Sequence, residues 1–150
     1  MRKIMNKKVI TALAMGLVIF SAPFAQAKAV VTATPTKNLP QKGAVVSFKL
    51  SKLPAKNGVY IQECMPPTTK GAAPTVCDSD QTAQAWVSSV KADIAQGATS
   101  AAGKITMKPV PYFSKGDCVH TTCVFFITND HNAAGDKSQD QTIPFTFSAK

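Results

Sequence analysis

Four cysteines arranged as two local pairs constrain this 150-residue chain more than any other feature of its sequence. Cys64 and Cys77 are 13 positions apart, whereas Cys118 and Cys123, in the stretch GDCVHTTC, are only 5 apart. An even number of cysteines in an oxidising compartment favours disulfides, and three pairings are possible. The spacing favours Cys64–Cys77 and Cys118–Cys123, because each bridge then closes its own loop. Such bridges fasten tight corners of the chain.

The first 27 residues have the three parts of an export signal. A basic start is followed by an apolar run, VITALAMGLVIF at 9–20, that is too short to span a bilayer comfortably and is followed by Pro23. The stretch AQA at 25–27 then matches an A-x-A cleavage site. We predict a signal peptide at 1–27, a single mature domain at 28–150 and secretion into the extracellular space. A retained N-terminal anchor is the alternative, and no cysteine follows the site as a lipoprotein would require.

The charge of the mature part is mild. The signal removes 4 of the 17 Lys and Arg residues and no acids, so 13 basic residues face 8 acidic ones, a net charge of +5. The remaining lysines are mostly isolated, without the arginine clusters and interleaved aromatics of nucleic-acid surfaces. We therefore expect a solvated exterior, no direct DNA binding, no membrane span after cleavage and a monomer. The isolated lysines are Lys42, Lys49, Lys52, Lys56, Lys91, Lys104 and Lys108.

Seven segments have the pattern of β-strands, separated by turn-forming residues. Residues 44–53 alternate most clearly, with Val46, Phe48 and Leu50 on one face and polar residues between them. The fold class predicted is all-β, a seven-stranded immunoglobulin-like β-sandwich with two local disulfides. The seven segments are VVTATPT (30–36), AVVSFKLSKL (44–53), VYIQEC (59–64), TAQAWVSSV (82–90), KITMKPV (104–110), TCVFFITND (122–130) and QTIPFTF (141–147).

The segments between the predicted strands are also informative. Residues 65–76 contain three prolines and a glycine, which predicts a loop held at its base by the first disulfide. The linker 91–103 allows a helical turn, limited by Gly97 and Gly103. Residues 122–130 are apolar on both faces, so this strand should be central and Phe126 deeply buried.

Catalytic chemistry has little support in the sequence. His120 and His131 are the only imidazoles, no nucleophile-elbow, zinc-protease, P-loop or dinucleotide motif is present, and Asp78 and Asp80 have the pattern of turn residues. We expect a protein that is not an enzyme. We expect no metal site. Zinc on Cys118, His120 and Cys123 would need reduced thiolates at a spacing that common zinc motifs do not have. Copper on Met65, Met107, His120 and His131 would be expected to come with a Met- or His-rich tract, which the sequence lacks.

The ordered set of segments resembles the neocarzinostatin family of secreted apoproteins that carry enediyne antibiotic chromophores. The matching pieces are VTATPTKNLPQKGAVVSFKLSKLPAKNGVYIQEC near the start, SSVKAD and AAGKIT in the middle, and GDCVHTTC with a closing TIPFTF. The resemblance covers residues 28–150. It implies a seven-stranded sandwich with a cleft for an apolar, non-covalently bound chromophore and no other cofactor.

The resemblance also implies which residues line the cleft, beside the Cys64–Cys77 bridge. They are Met65, Pro66, Trp86, Val87, Tyr112, Phe113, Thr128 and Asn129. The segment PYFSK at 111–115 is much shorter than the ribbon that covers the ligand in the family, which predicts a cleft without its cover. The function expected is sheltering of a small apolar or aromatic ligand. The alternative is an interaction or cell-envelope protein that uses loops 65–76 and 129–141 on a rigid scaffold.

Overall fold

A computed structural model describes residues 27–149, and almost all of its regular structure is β. Residues 1–26, which hold nearly all of the predicted export signal, lie outside the described residues. Ten strands are present in the described part: β1 (Val30–Thr34), β2 (Val46–Ser51), β3 (Val59–Cys64), β4 (Gln84–Ser88), β5 (Thr99–Ser100), β6 (Ile105–Met107), β7 (Tyr112–Phe113), β8 (Gly116–Asp117), β9 (Cys123–Asn129) and β10 (Gln141–Phe145). One short helix, α1 (Lys91–Ala95), joins β4 to β5.

The strands form three sheets. A three-stranded sheet has the order β1-β2-β6, and a five-stranded sheet has the order β10-β9-β3-β4-β5. All pairs are antiparallel except β4 with β5, which is parallel. The third sheet is the two-stranded ribbon of β7 and β8. The turn of this ribbon approaches the first disulfide loop, as described below.

One hydrophobic cluster receives side chains from both larger sheets. Phe48 of β2 meets Phe125 of β9 edge to face, with ring centroids 5.0 Å apart. Phe125 also stacks on Phe145 of β10 at 4.2 Å. The alternation predicted for β2 is confirmed, because its residues are buried and exposed in turn from Val46 to Ser51. The seven isolated lysines are all exposed, as expected of a solvated exterior.

The β-rich fold class is confirmed, and each of the seven predicted segments contains a strand. The strand count differs, with ten strands in three sheets where seven were expected. The three additional strands, β5, β7 and β8, have only two residues each and so leave no periodic signal in the sequence. The helical turn that the sequence allows in the linker is present as α1. The helix ends before Gly97, whose φ of +109° lies in the region that favours glycine.

The predicted disulfide pairing is confirmed. Cys64 is bonded to Cys77 and Cys118 to Cys123, and no free cysteine is found in the described residues. Since both sulfurs of the second pair are in a bridge, the zinc alternative has no thiolate to use.

Between residues 27 and 149 no helix has the length and apolar character needed to cross a bilayer.

The short bridge lies at a corner organised by Asp117. Its carboxylate accepts hydrogen bonds from the backbone N–H groups of Val119 and His120, both at 3.1 Å. It also pairs with the His120 ring at 2.8 Å, and these bonds, the ring contact foremost, lower the pKa of Asp117. The corner leads directly into β9, which is flanked by β10 and β3 and is almost wholly buried. The prediction of a buried strand with two covered faces is therefore confirmed.

Candidate ligand-binding site

The first disulfide closes a rigid loop, residues 65–76. Beside the Cys64–Cys77 bridge, the Met65 N–H donates to the Val76 carbonyl and the Asp78 N–H donates to the Glu63 carbonyl, both at 2.8 Å. Three prolines, Pro66, Pro67 and Pro74, restrict the backbone between these points. The loop is therefore held at its base by a covalent bond and two hydrogen bonds, which limits its freedom before any ligand binds.

A pocket of about 380 Å³ lies between the two ends of this loop and the turn of the β7–β8 ribbon. Its wall is mainly apolar, with two threonines and one cationic side chain at its edge. The lining residues are Met65, Pro66, Pro67, Thr68, Thr75, Val76 and Lys115. Its volume is within the range of small-molecule sites, and its wall has their usual composition of apolar groups with a few polar ones.

The ribbon turn that carries Lys115 is fixed by the ring of Phe113. A Cβ atom added to Gly116 would lie 2.3 Å from two atoms of this ring, so only glycine allows the ring to pack where it does. Lys115 itself has a φ of 63°, in the left-handed region. Phe113 also packs against the main core, so the core holds the turn in place. The backbone position of Lys115 is fixed as a result.

The residues predicted for the cleft do not all meet at this pocket. Met65 and Pro66 line it, and Phe113 supports the ribbon turn beside it. Tyr112, on the same ribbon, is 54% exposed and lines a different pocket of about 420 Å³ with Val119 and His120. The ribbon therefore contributes to two pockets, one through Lys115 and the other through Tyr112.

Trp86 and Val87 are separated by the alternation of strand β4. Val87 is fully buried in the main core, so its side chain has no exposed surface to offer a ligand. Trp86 points to the opposite face, where its indole N–H donates to Asp130 at 3.0 Å and its ring meets those of Tyr60 and His131. Trp86 and Phe113 were both implied as cleft residues, but Phe113 is not among the rings that Trp86 contacts.

Thr128 and Asn129 serve as hydrogen-bonding residues of the fold. Thr128 donates to Asp140 at 2.7 Å. Asn129 is 3% exposed, accepts from the Asn57 amide at 2.8 Å and donates to the Asp136 carbonyl at 2.7 Å. Asn129 thereby fixes one end of loop 129–141.

Glu63 is a buried carboxyl group immediately before the loop. It has no exposed surface, and one oxygen accepts from the Val110 N–H at 3.0 Å while Oε1 has no hydrogen-bond partner within residues 27–149. Burial raises the pKa of Glu63 from 4.5 to about 7, and the nearby Asp78 carboxylate adds to this, although the Val110 bond opposes it. This group therefore titrates near neutral pH.

The residues of the copper alternative have different surroundings. Met107 is in the main core, and the Met65 sulfur lies 3.7 Å from the sulfur of Cys123. His120 pairs with Asp117, whereas His131 is hydrogen-bonded to Tyr60. Within the described chain, no group of three or more His, Cys, Asp or Glu residues is placed to hold a metal ion.

Asp78 and Asp80 are turn residues as predicted, since each accepts a hydrogen bond from the backbone N–H two positions ahead.

Five pocket residues were not among those predicted for the cleft: Pro67, Thr68, Thr75, Val76 and Lys115. Val76 could have been found, because a bridge between Cys64 and Cys77 places the residue before Cys77 opposite Met65. Lys115 stands in the turn signal SKG, but nothing in the sequence shows that this turn approaches the disulfide loop.

Comparisons with protein-family profiles, with curated proteins and with solved structures found no match to this chain.

Proposed function

We propose that this chain is an exported, monomeric, non-enzymatic carrier that binds a small apolar or aromatic ligand in the pocket between the disulfide loop and the ribbon turn. The observation that carries the proposal is the pocket itself, about 380 Å³ in volume and lined by Met65, Pro66 and Val76. Its walls are cross-linked at their base, so little conformational entropy is lost when a ligand orders them. Met65 and Pro66, which line this pocket, are also among the residues that the resemblance to the neocarzinostatin family implies for the cleft.

The polar groups of the pocket indicate what else the ligand carries. Lys115 supplies a cationic ammonium, and Thr68 and Thr75 supply hydroxyl groups that donate or accept. An aromatic body with one acidic or hydrogen-bonding end would satisfy both the apolar wall and this edge. A chromophore of the family's kind is one member of that class.

The wider architecture is proposed on the same resemblance. The two larger sheets share one core, and the seven predicted segments supply their main strands, which supports an immunoglobulin-like sandwich. Two disulfides are typical of exported proteins, which supports secretion.

The second candidate is a secreted or cell-envelope interaction protein that uses loops 65–76 and 129–141. The specific observation in its favour is that both loops are braced, the first by the disulfide and the second by Asn129 and Asp130. Braced loops on a scaffold are the usual means by which such domains bind other proteins.

The test is a titration of the isotope-labelled mature protein, followed by amide NMR, with naphthalene-1-carboxylate and naphthalene-1-methanol as probes. We expect saturable shifts at the amides of Met65, Val76 and Lys115 for both probes. The carboxylate should bind more tightly, because its charge complements the lysine.

A matched pair of variants gives the control. Val76→Asp places a charge in the apolar wall and should weaken binding about tenfold or more, the effect of burying an unpaired charge. Val45→Asp makes the same change at a residue that is 46% exposed and should leave binding unchanged. Equal affinities for the two variants, or shifts spread evenly over the chain, would contradict the proposal and favour the interaction protein.

A further inference from the structure

The outer face of the five-stranded sheet carries an ordered strip of aromatic and amide side chains. Across the strands, Tyr60 of β3 pairs with Trp86 on one side and with Thr128 on the other. In the next row, Gln62 pairs with Gln84 and with Phe126. Tyr60, Gln62, Gln84 and Trp86 are half-buried, and their neighbours along each strand point into the core. The strip therefore presents two aromatic rings beside two amides, on the face opposite the core.

The aromatic part of the strip is a packed platform of inclined rings, in which Trp86 lies at 48° to Tyr60 and at 62° to His131. The His131 ring joins Tyr60 and Trp86, with centroid distances of 5.0 Å to Trp86 and 6.0 Å to Tyr60, while Tyr60 and Trp86 are 6.2 Å apart. Rings this close fill the space between them, so they leave no cage for a cationic head group. What remains for a ligand is the outward surface of the cluster.

Hydrogen bonds hold the platform in place. The Trp86 indole N–H donates to Asp130, which has no exposed surface and also accepts from the Gly58 N–H at 2.8 Å. The Tyr60 hydroxyl is hydrogen-bonded to Nδ1 of His131 at a distance of 2.6 Å. The rings are thus oriented before a ligand arrives, which lowers the entropic cost of binding.

The amides of the strip are free to bind a ligand. Within residues 27–149 the side chains of Gln62 and Gln84 form no hydrogen bond with another residue, and each offers two donors and an acceptor. Neither row itself contains an ionised side chain. Two carboxylates adjoin the Tyr60 row and are occupied by hydrogen bonds from it, Asp130 from Trp86 and Asp140 from Thr128. The two rows therefore offer no positive charge to an anion. The amides of Gln62 and Gln84 also make their row too polar for a purely apolar molecule.

We propose that this strip binds a neutral oligosaccharide. Pyranose rings have apolar C–H faces that lie flat on aromatic side chains, and hydroxyl edges that both donate to and accept from amides. The rings of Trp86 and Tyr60 would take the sugar faces, while Gln62 and Gln84 would take the hydroxyls. The site is separate from the pocket at Met65 and does not depend on a ligand there.

Trp86 is the only tryptophan in the chain, so its emission reports on the strip directly. The test titrates the mature protein with four neutral probes, cellohexaose, chitohexaose, xylohexaose and maltohexaose. A heparin hexasaccharide and choline serve as charged probes. We expect a saturable change in emission with at least one neutral probe, at a dissociation constant of about 1 mM or tighter, and none with either charged probe.

Two variants locate the site. Gln84→Ala keeps the tryptophan and removes only an amide without a partner in the fold, and it should weaken binding about fivefold, the loss expected of one net hydrogen bond. Trp86→Ala, followed by calorimetry, should abolish measurable binding. The controls are Tyr112→Ala, an exposed aromatic residue elsewhere, and Lys115→Ala at the pocket, and neither should change the affinity.

Three results would overturn the proposal. The first is the absence of saturation with all four neutral probes. The second is binding confined to heparin or choline, which would indicate a charged ligand. The third is an affinity in Gln84→Ala equal to that of the unmodified protein, which would place the sugar elsewhere. The Gln84 side chain makes no hydrogen bond within residues 27–149, so Gln84→Ala should leave the fold intact, and an unchanged urea denaturation midpoint separates a loss of binding from a folding defect.

Discussion

Glu63 is the residue whose environment is least suited to its charge. Its side chain is fully buried at the end of β3, with one oxygen bonded to the Val110 N–H and the other without a partner in the described chain. The raised pKa of about 7 means that the folded protein holds a proton that the unfolded chain releases near 4.5. The protonated form is therefore the one that the fold accommodates.

Stability should consequently fall as pH rises. Below about pH 4.5 both states are protonated, so the full contribution of Glu63 is present. Between pH 4.5 and 7 the unfolded chain loses its proton first, and the free energy of unfolding decreases, by about 3 kcal/mol at most once pH exceeds 7. Urea denaturation at pH 5 and pH 8 measures this difference.

Glu63→Gln is the control, because the amide keeps an acceptor for Val110 and has no charge to bury. At pH 8 this variant should be more stable than the unmodified protein, and its stability should differ less between the two pH values. If the unmodified protein is equally stable at pH 5 and pH 8, Glu63 does not titrate as inferred.

Gly116 is a residue at which a single added methyl group should lower stability. In Gly116→Ala the new Cβ would overlap the Phe113 ring, which must leave its place against the core. We expect a loss of about 1–3 kcal/mol in the free energy of unfolding, the usual cost of overpacking. Gly135→Ala is the matched control, since a Cβ there would meet nothing within 4 Å. In the Phe113→Ala background the cost of Gly116→Ala should largely disappear, and an unchanged cost would show that the ring is not its cause.

At the scale of elements, β9 is the strand on which most of the packing depends. Phe125 lies between Phe48 and Phe145 in the main core, whereas Phe126 points to the other face, beside Cys64 and Val124. Pro67, Gly71 and Ala72 of the disulfide loop lie opposite Phe126 across a cavity of about 90 Å³. The loop therefore covers one face of β9 while the second sheet covers the other.

Truncation on either face of β9 should be costly. Phe125→Ala and Phe126→Ala are each expected to lower the free energy of unfolding by about 3–5 kcal/mol, because each leaves a cavity. Lys49→Ala, on the exposed face of β2, should change it by about 0.5 kcal/mol or less. Chemical denaturation compares the three. A Phe126→Ala variant as stable as Lys49→Ala would mean that the disulfide loop does not bury this ring.

The strands that the sequence could predict are those with side-chain alternation or a fully apolar run. β2 and β9 have these patterns, and both were found in place. β5, β7 and β8 could not be predicted, since two residues have no period and their pairing depends on distant segments. The same limit applies to the site. Met65 and Pro66 were expected only because the resemblance to the neocarzinostatin family implies them, whereas Lys115 lines the pocket through a turn at which the Phe113 ring packs on Gly116.

At the scale of the whole molecule, residues on both sides of the predicted cleavage site contact the segment that precedes the last strand, and the Gln139 amide donates to the Ala27 carbonyl at 3.3 Å. The Ala29 N–H donates to the Gln139 side chain at 2.7 Å, and the Gln141 amide donates to the Ala29 carbonyl at 2.9 Å. Both contacts join the first residues after the predicted cleavage site to the segment that forms β10. The new N-terminus would thus be held against the last strand.

The mature protein should therefore begin at Lys28 and contain no free thiol. Cleavage after Ala27 is expected from the A-x-A pattern, and a cut beyond Ala29 would remove its hydrogen bond to Gln139. The intact mass of protein from its own culture supernatant should equal that of residues 28–150 less four hydrogens, because both cysteine pairs are oxidised. Alkylation without reduction should add nothing, whereas alkylation after reduction in denaturant should label four cysteines. A mass that includes residues 1–27 would indicate a retained anchor, and labelling of any cysteine before reduction would show that a bridge is open in the mature protein.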